Sequence, residues 1–328
     1  EIGSGLVGSE MCIRDREYSS AYAIIASKND DTDIEYFDIK RNYQVRSLLA
    51  AIEVLYKREM ITEDDCKTCF HNLRNFFFLF HSCSYTSNKT DKAIANAAFD
   101  VYHTKSEMDF KYVISDVFRE LSKFISSSTV DELMFTTSSM HYSLKNSAYK
   151  SNHRIVKYIL YCLYMPDQRD TVLDQSRLTI EHLLNDDGSV RNSSIYNLTL
   201  TSGEINSNEL KNRGLVEKIG ILKSQSSVIA NQKLDEYLDA QGEYLEDKRK
   251  NDLKEQAISN VFKYEGSPFG YTKEMVDGYL KMKRALQSDE ELLAVLLERG
   301  MNIQAYLSNN PAMQDAYNRF LTLCGTTS

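Results

Sequence analysis

Four residues within one short stretch have types and spacing that could do chemistry. Glu181 and His182 are adjacent in LTIEHLL, and Asn197 and Asn206 follow. Phosphodiester hydrolysis needs a base to take a proton from water and a cation to offset charge on the phosphoryl oxygens. Imidazole suits the first task near neutral pH. A carboxylate and an amide oxygen are hard ligands that suit Mg2+, which keeps several of its own waters. The pairing carries a geometric demand. Neighbouring residues on a strand point to opposite faces, so Glu181 and His182 act together only at a strand end, where twist or a bulge re-aims one of them.

Positioning these side chains requires a strand, a loop, a second strand and a helix. Residues 178–184 are apolar with a β-branched pair and predict the first strand. NDDGSVRNSS, with Gly188, reads as the loop. IYNLTL at 195–200 predicts the second strand, and Thr201-Ser-Gly-Glu204 reads as a capping box opening the helix.

The run LTIEHLL…SSIYNLTLTSGEINSNELKNR resembles the HNH (His-Me finger, ββα-metal) nuclease module at the C-terminus of GmrSD-like restriction endonucleases. That family shows an Ile-Glu-His-Ile core, then Gly-Asn-Leu-Thr-Leu, then a helix bearing Asn. KSQSS at 223–227 and the Leu245, Arg249, Leu253 pattern are similar to its continuation. FHNLRNFFFLF and SNHRIVKYIL are similar to its helical middle. The likeness spans residues 40–263 and is specific over 177–213.

The resemblance implies a metal-dependent DNA endonuclease of a restriction or defence system. His182 would be the general base. Asn197 would hold the hairpin loop and orient the imidazole. Glu181 and Asn206 would be ligands to Mg2+, or Mn2+ in its place. Lys211, Arg213, Lys218 and Lys223 would contact DNA phosphates. Two departures stand out: the proline usual after Glu-His is missing from LLNDD, and Tyr196 replaces a glycine. The family's nucleotide-binding domain, with its Asp-Gly-Gln-Gln-Arg segment, has no counterpart in this sequence, so it or a partner subunit is an expected partner. The alternative is a catalytically degenerate nuclease fold serving as a DNA-binding or assembly scaffold.

Composition constrains what surrounds the hairpin. The chain has 328 residues, 13 glycines and 3 prolines, with no glycine between Gly8 and Gly188 and no proline before Pro166. Sandwiches, barrels and doubly wound sheets need positive φ at many turns, so helices joined by Ser, Thr, Asn and Asp loops are expected there. Val45, Leu48, Leu49, Ile52 and Leu55 form a helical stripe, as do Phe70, Leu73, Phe77 and Phe80 behind the cap candidate Thr62. Ala93 to Val101, Phe110 to Leu121, and Ile155, Ile159 and Cys162 mark three more helices, and Thr129-Val-Asp-Glu132 reads as a capping box. The mixed charges of Glu243–Lys254 suggest a solvated helix face.

The expected fold is therefore mainly α: a helical domain over 17–165, a small ββα-metal module over 166–263 embedded in further helices, and a helical tail over 264–328. In the tail, Ser288-Asp-Glu-Glu291 would cap a helix ended by Gly300. Residues 5–16, GLVGSEMCIRDR, look like a translated sequencing adaptor, so 1–16 are set aside and the chain is expected to be a fragment.

A net charge of −8 argues against coating nucleic acid through bulk positive charge but leaves room for a local basic groove. No apolar run reaches the ~18 residues of a membrane span. Six irregularly spaced cysteines make no disulfide framework, and a reducing cytoplasm is the expected setting. Cys66, Cys69, His71, His81 and Cys83 could bind zinc on paper, but one rigid helix would hold their two ends roughly 20 Å apart, so buried free thiols are expected.

Overall fold

The computed structural model describes residues 16–27, 31–168, 173–211 and 213–284. The segment 1–15 and the expected cap at Ser288 and stop at Gly300 lie outside the described residues.

The half without glycine or proline folds into helices joined mostly by short polar turns, with one long, partly buried connection over 134–152. They are α1 (16–27), α2 (Thr32–Ile39), α3 (Val45–Lys57), α4 (Glu63–Ser82), α5 (Asp91–Tyr102), α6 (Glu107–Ser122), α7 (Ser127–Leu133) and α8 (His153–Tyr164). Asp31, Thr62 and Ser106 cap the starts of α2, α4 and α6 with their side-chain oxygens. Left-handed turn positions are still needed, and Arg41, Glu59 and Ser84 supply them at φ 54, 57 and 61°. Each costs ~1 kcal/mol that a glycine would avoid. The expected cap at Thr129 is displaced: α7 begins at Ser127, which places Thr129 inside the helix.

The centre of the core is α4. Leu73, Phe76, Phe77 and Phe80 are fully enclosed, and the Phe78 ring stacks on Phe262. Three of its polar residues, Asn72, Arg74 and Asn75, are buried too and tie down the chain after residue 260. Asn72 exchanges bonds with the backbone of Glu265, Arg74 Nη2 donates to the Val261 carbonyl, and Asn75 Nδ2 donates to that of Lys263. Cys66, Cys69 and Cys83 are buried free thiols on or at the end of this one helix.

After Pro166 the chain forms β1 (Leu178–His182) and β2 (Leu198–Ser202), antiparallel, with His182 opposite Leu198 and Leu178 opposite Ser202. The second strand starts later than its sequence suggests. Ile195–Asn197 make a tight turn closed by the Asn197 N–H on the Ser194 carbonyl, and the short helix α9 (Val190–Ser193) occupies the loop before it. The cap also moves by one residue. Thr201 stays in the strand, and Ser202 accepts from the Ile205 N–H to open α10 (Gly203–Ile205), which continues as a π-helical turn over Asn206–Leu210. Then come α11 (Leu215–Gln225), a 3-10 stretch over Ile229–Tyr237, α12 (Asp247–Gln256) and α13 (273–284).

The molecule is mainly helical, with one two-stranded sheet among the described residues. One apolar cluster runs from Ile25 through α4 and α8 to Phe262 and takes in Leu178, Ile180, Leu198 and Leu200 from the strands. The core therefore has no break at the expected boundary of 165 and 166. A smaller cluster, built on Leu183, Leu210, Leu215, Ile219 and Leu222, lies beneath α11. No helix among the described residues is long and apolar enough to cross a membrane.

A two-stranded sheet is marginal alone, and here side chains take the outward-facing carbonyls of both edges. On β1, Asn206 Nδ2 donates to the Ile180 carbonyl and Lys218 Nζ to that of His182. On β2, Arg249 Nη2 donates to the Leu198 carbonyl and Asn231 Nδ2 to that of Leu200. Arg249, in the stretch expected to be solvated, is 3% exposed and also holds the Tyr196 carbonyl at 2.7 Å. Its neighbour Leu253 is buried as well, so α12 has an inner face.

Candidate active site

Glu181 and His182 are both within the strand ladder, opposite Thr199 and Leu198. The pleat therefore sends their side chains to opposite faces. His182 faces the segment before α8. Its Nε2 lies 3.0 Å from the Tyr142 carbonyl, and the two rings are 5.7 Å apart. A carbonyl only accepts, so Nε2 carries a proton and donates it to Tyr142. The residue is 9% exposed. The bond that fixes the ring comes from Tyr142, whereas the family resemblance implied Asn197 for this task.

Asn197 holds the loop instead. Its Oδ1 accepts the Leu184 N–H at 2.8 Å, and its Nδ2 donates to the carbonyls of Leu184 and Asn192 at 2.9 and 2.7 Å. Asp186, in the LLNDD stretch that lacks the family's proline, locks the same loop to the Tyr142 segment. It accepts from Ser143 Oγ, the Leu144 and Lys145 N–H groups and the Gly188 N–H. Burial would raise its carboxyl, but these bonds and the nearby His182 ring hold it below the usual carboxylate range. Main-chain bridges from His141 and Tyr142 to Ser194 and Ser193 complete the clamp.

Glu181 faces the other way, toward α11. Its Oε1 pairs with Lys218 Nζ at 2.5 Å, and the same ammonium donates to the His182 carbonyl at 2.6 Å and to Asn185 Oδ1 at 2.8 Å. Lys218, expected to touch DNA phosphate, is thus buried beneath the strand at 3% exposure. Asn206 packs on the same strand face through Thr179 Oγ1 and the Ile180 carbonyl, so its Nδ2 serves the edge of β1.

Tested as a divalent-metal site, this donor set does not fit. The one carboxylate already holds a cation, and among the described residues no group of three or more His, Cys, Asp or Glu side chains could hold a metal ion. The ligand roles expected for Glu181 and Asn206 are not what these side chains do. Comparison with protein-family models, curated proteins and solved structures finds no match to this chain.

The remaining basic candidates are exposed. Arg213 pairs with Glu217 and Lys223 with Asp235, while Lys211 faces solvent at the end of the π-helical turn. Lys145, beside Gly188, and Arg191, over the Tyr244 ring, add exposed positive charge on the loops. Two clefts elsewhere, one lined by Tyr164, Lys233 and Arg249 and the other by Asp33, His71 and Lys263, do not include His182 or Glu181.

Reading the sequence alone missed Tyr142, Asn185 and Asp186, and misjudged Lys218. Tyr142 acts through its carbonyl, which no side-chain pattern reveals. Lys218 left a visible signal. It falls on the face of α11 marked by Leu215, Ile219 and Leu222, and a lysine on an apolar face needs a buried partner.

Proposed function

We propose that the hairpin and the helical turn after it form a phosphodiester-cleaving site of the HNH (His-Me finger) type. It would act on DNA within a restriction or defence protein of the GmrSD-like kind. The observation that carries this reading is the held imidazole at the end of β1. Its Nε2–H is fixed by the Tyr142 carbonyl, which leaves Nδ1 as the nitrogen to act as base, and Asn197 pins the loop that follows the strand. His182 Nδ1 takes a proton from water as the water oxygen bonds to phosphorus. The bond from phosphorus to the leaving sugar oxygen breaks, and that oxygen takes a proton from solvent. Lys145, Arg191, Lys211, Arg213 and Lys223 are exposed charges able to meet the DNA backbone. No step runs through a metal ion, because Lys218 occupies the Glu181 carboxylate.

The test is nicking of supercoiled plasmid by wild type and His182→Ala, each with chelator and with Mg2+ or Mn2+. Loss of a general base should slow cleavage at least about 100-fold. Equal rates for both proteins would refute the assignment. The second reading, a DNA-binding scaffold without catalysis, is favoured by Lys218 turning every N–H inward. It calls for DNA retention by wild type and no cleavage under any ion.

A further inference from the structure

Lys218 sits among oxygens of the kinds a hard cation takes. These are a carboxylate (Glu181 Oε1, 2.5 Å), a main-chain carbonyl (His182, 2.6 Å) and an amide (Asn185 Oδ1, 2.8 Å). An ammonium has three N–H groups, so all of them are engaged. The distances lie close to the ~2.3–2.6 Å that Ca2+ keeps to its oxygen ligands. The three acceptors come from the end of β1 and the loop just after it, and α11 delivers the lysine from the small core. A divalent ion placed against Glu181 would meet this fixed positive charge within contact distance.

We infer that Glu181, His182 and Asn185 form a cation site whose cation is part of the chain: the Lys218 ammonium fills the cage, keeps divalent metal out, and on removal leaves a site that a hard metal ion can enter. The end of β1 therefore keeps its shape whatever the supply of metal. This inference rests on the proposed nuclease reading only in its corollary, that chelators leave DNA handling by the wild-type protein unchanged.

The experiment measures ion binding, not cleavage. Tyrosine-sensitised Tb3+ luminescence and Mn2+ titration are read on wild type, Glu181→Gln, Lys218→Ala and the double variant. Wild type should show no Glu181-dependent binding. Lys218→Ala should bind at least about tenfold more tightly than wild type, and the double variant should lose the gain. Two results overturn the proposal. One is wild-type binding of Mn2+ or Tb3+ that Glu181→Gln abolishes; the other is a folded Lys218→Ala that gains no ion. If Lys218→Ala does not fold in chelator, refolding by millimolar Ca2+ supports the cage, and a variant that no ion restores overturns it. Because none of these arms involves DNA hydrolysis, a failed His182→Ala assay and a failed cage remain separate results.

Discussion

Removing the Asn197 amide should separate the loop from the strands it joins. Asn197 is 1% exposed, and its amide makes three bonds of 2.7 to 2.9 Å to the main chain of Leu184 and Asn192. A neutral hydrogen bond contributes about 1 kcal/mol net, and an acceptor or donor left buried without a partner costs more. Leu184 and Asn192 are only half-buried, so water can reach part of what is exposed. Asn197→Ala should therefore lose about 3 kcal/mol, a large share of the ~5–15 kcal/mol that holds a typical protein folded. Asn197→Asp is the sharper probe. It retains an acceptor for the Leu184 N–H but turns an oxygen toward two carbonyls that had a donor, so it should be at least as unstable as the alanine variant. Urea unfolding followed by far-ultraviolet circular dichroism measures both. A loss below about 1 kcal/mol for Asn197→Ala, or an aspartate variant as stable as wild type, would refute the claim that this amide organises the loop.

Three further outcomes are expected. Arg249→Met leaves the Tyr196 and Leu198 carbonyls without their donor, and should cost about 3 kcal/mol in denaturant unfolding. Burial, with the Lys40 ammonium adding to it, pushes His81 down from 6.5 to about 3. Below pH 6.5 only the unfolded chain takes up that proton, so stability should fall by about 2 kcal/mol from pH 6.5 to 5 and keep falling until the folded ring titrates near 3. His141 and His153, lowered chiefly by burial, add slope of the same sign, so His81→Gln should flatten the acid limb in part. Asp186→Asn retains one acceptor for a carboxylate that had four donors, and should slow plasmid nicking by loosening the Tyr142 segment while DNA retention on a gel stays unchanged.

The helices were legible because their apolar spacing and caps are local: the stripe at Val45 to Leu55 and the Thr62 cap both correspond to helices. Both strands could be placed, yet β2 was read about three residues early because Ile195 and Tyr196 look strand-like by type. What keeps them out of the ladder is the Asn197 N–H bond to Ser194, a turn that residue types do not announce. The four chemical residues were visible as types, while their partners were not. Tyr142 is 40 positions from His182 and Lys218 is 37 from Glu181, and such pairings depend on how the helices pack. Arg249 shows the same limit. Charge alternation made it look solvated, and only the outer edge of β2 explains its burial.

Plugging both sheet edges with side chains has a consequence for how the chain behaves before it is fully folded. An open strand edge is a template for pairing with another molecule. In the finished protein, Asn206, Lys218, Asn231 and Arg249 close those edges, and all four come from sequence after the strands. A chain still growing from the ribosome, or one cut before residue 231, carries the hairpin with β2 unguarded. Such species should associate with one another through that strand, and adding back the later residues should suppress the association.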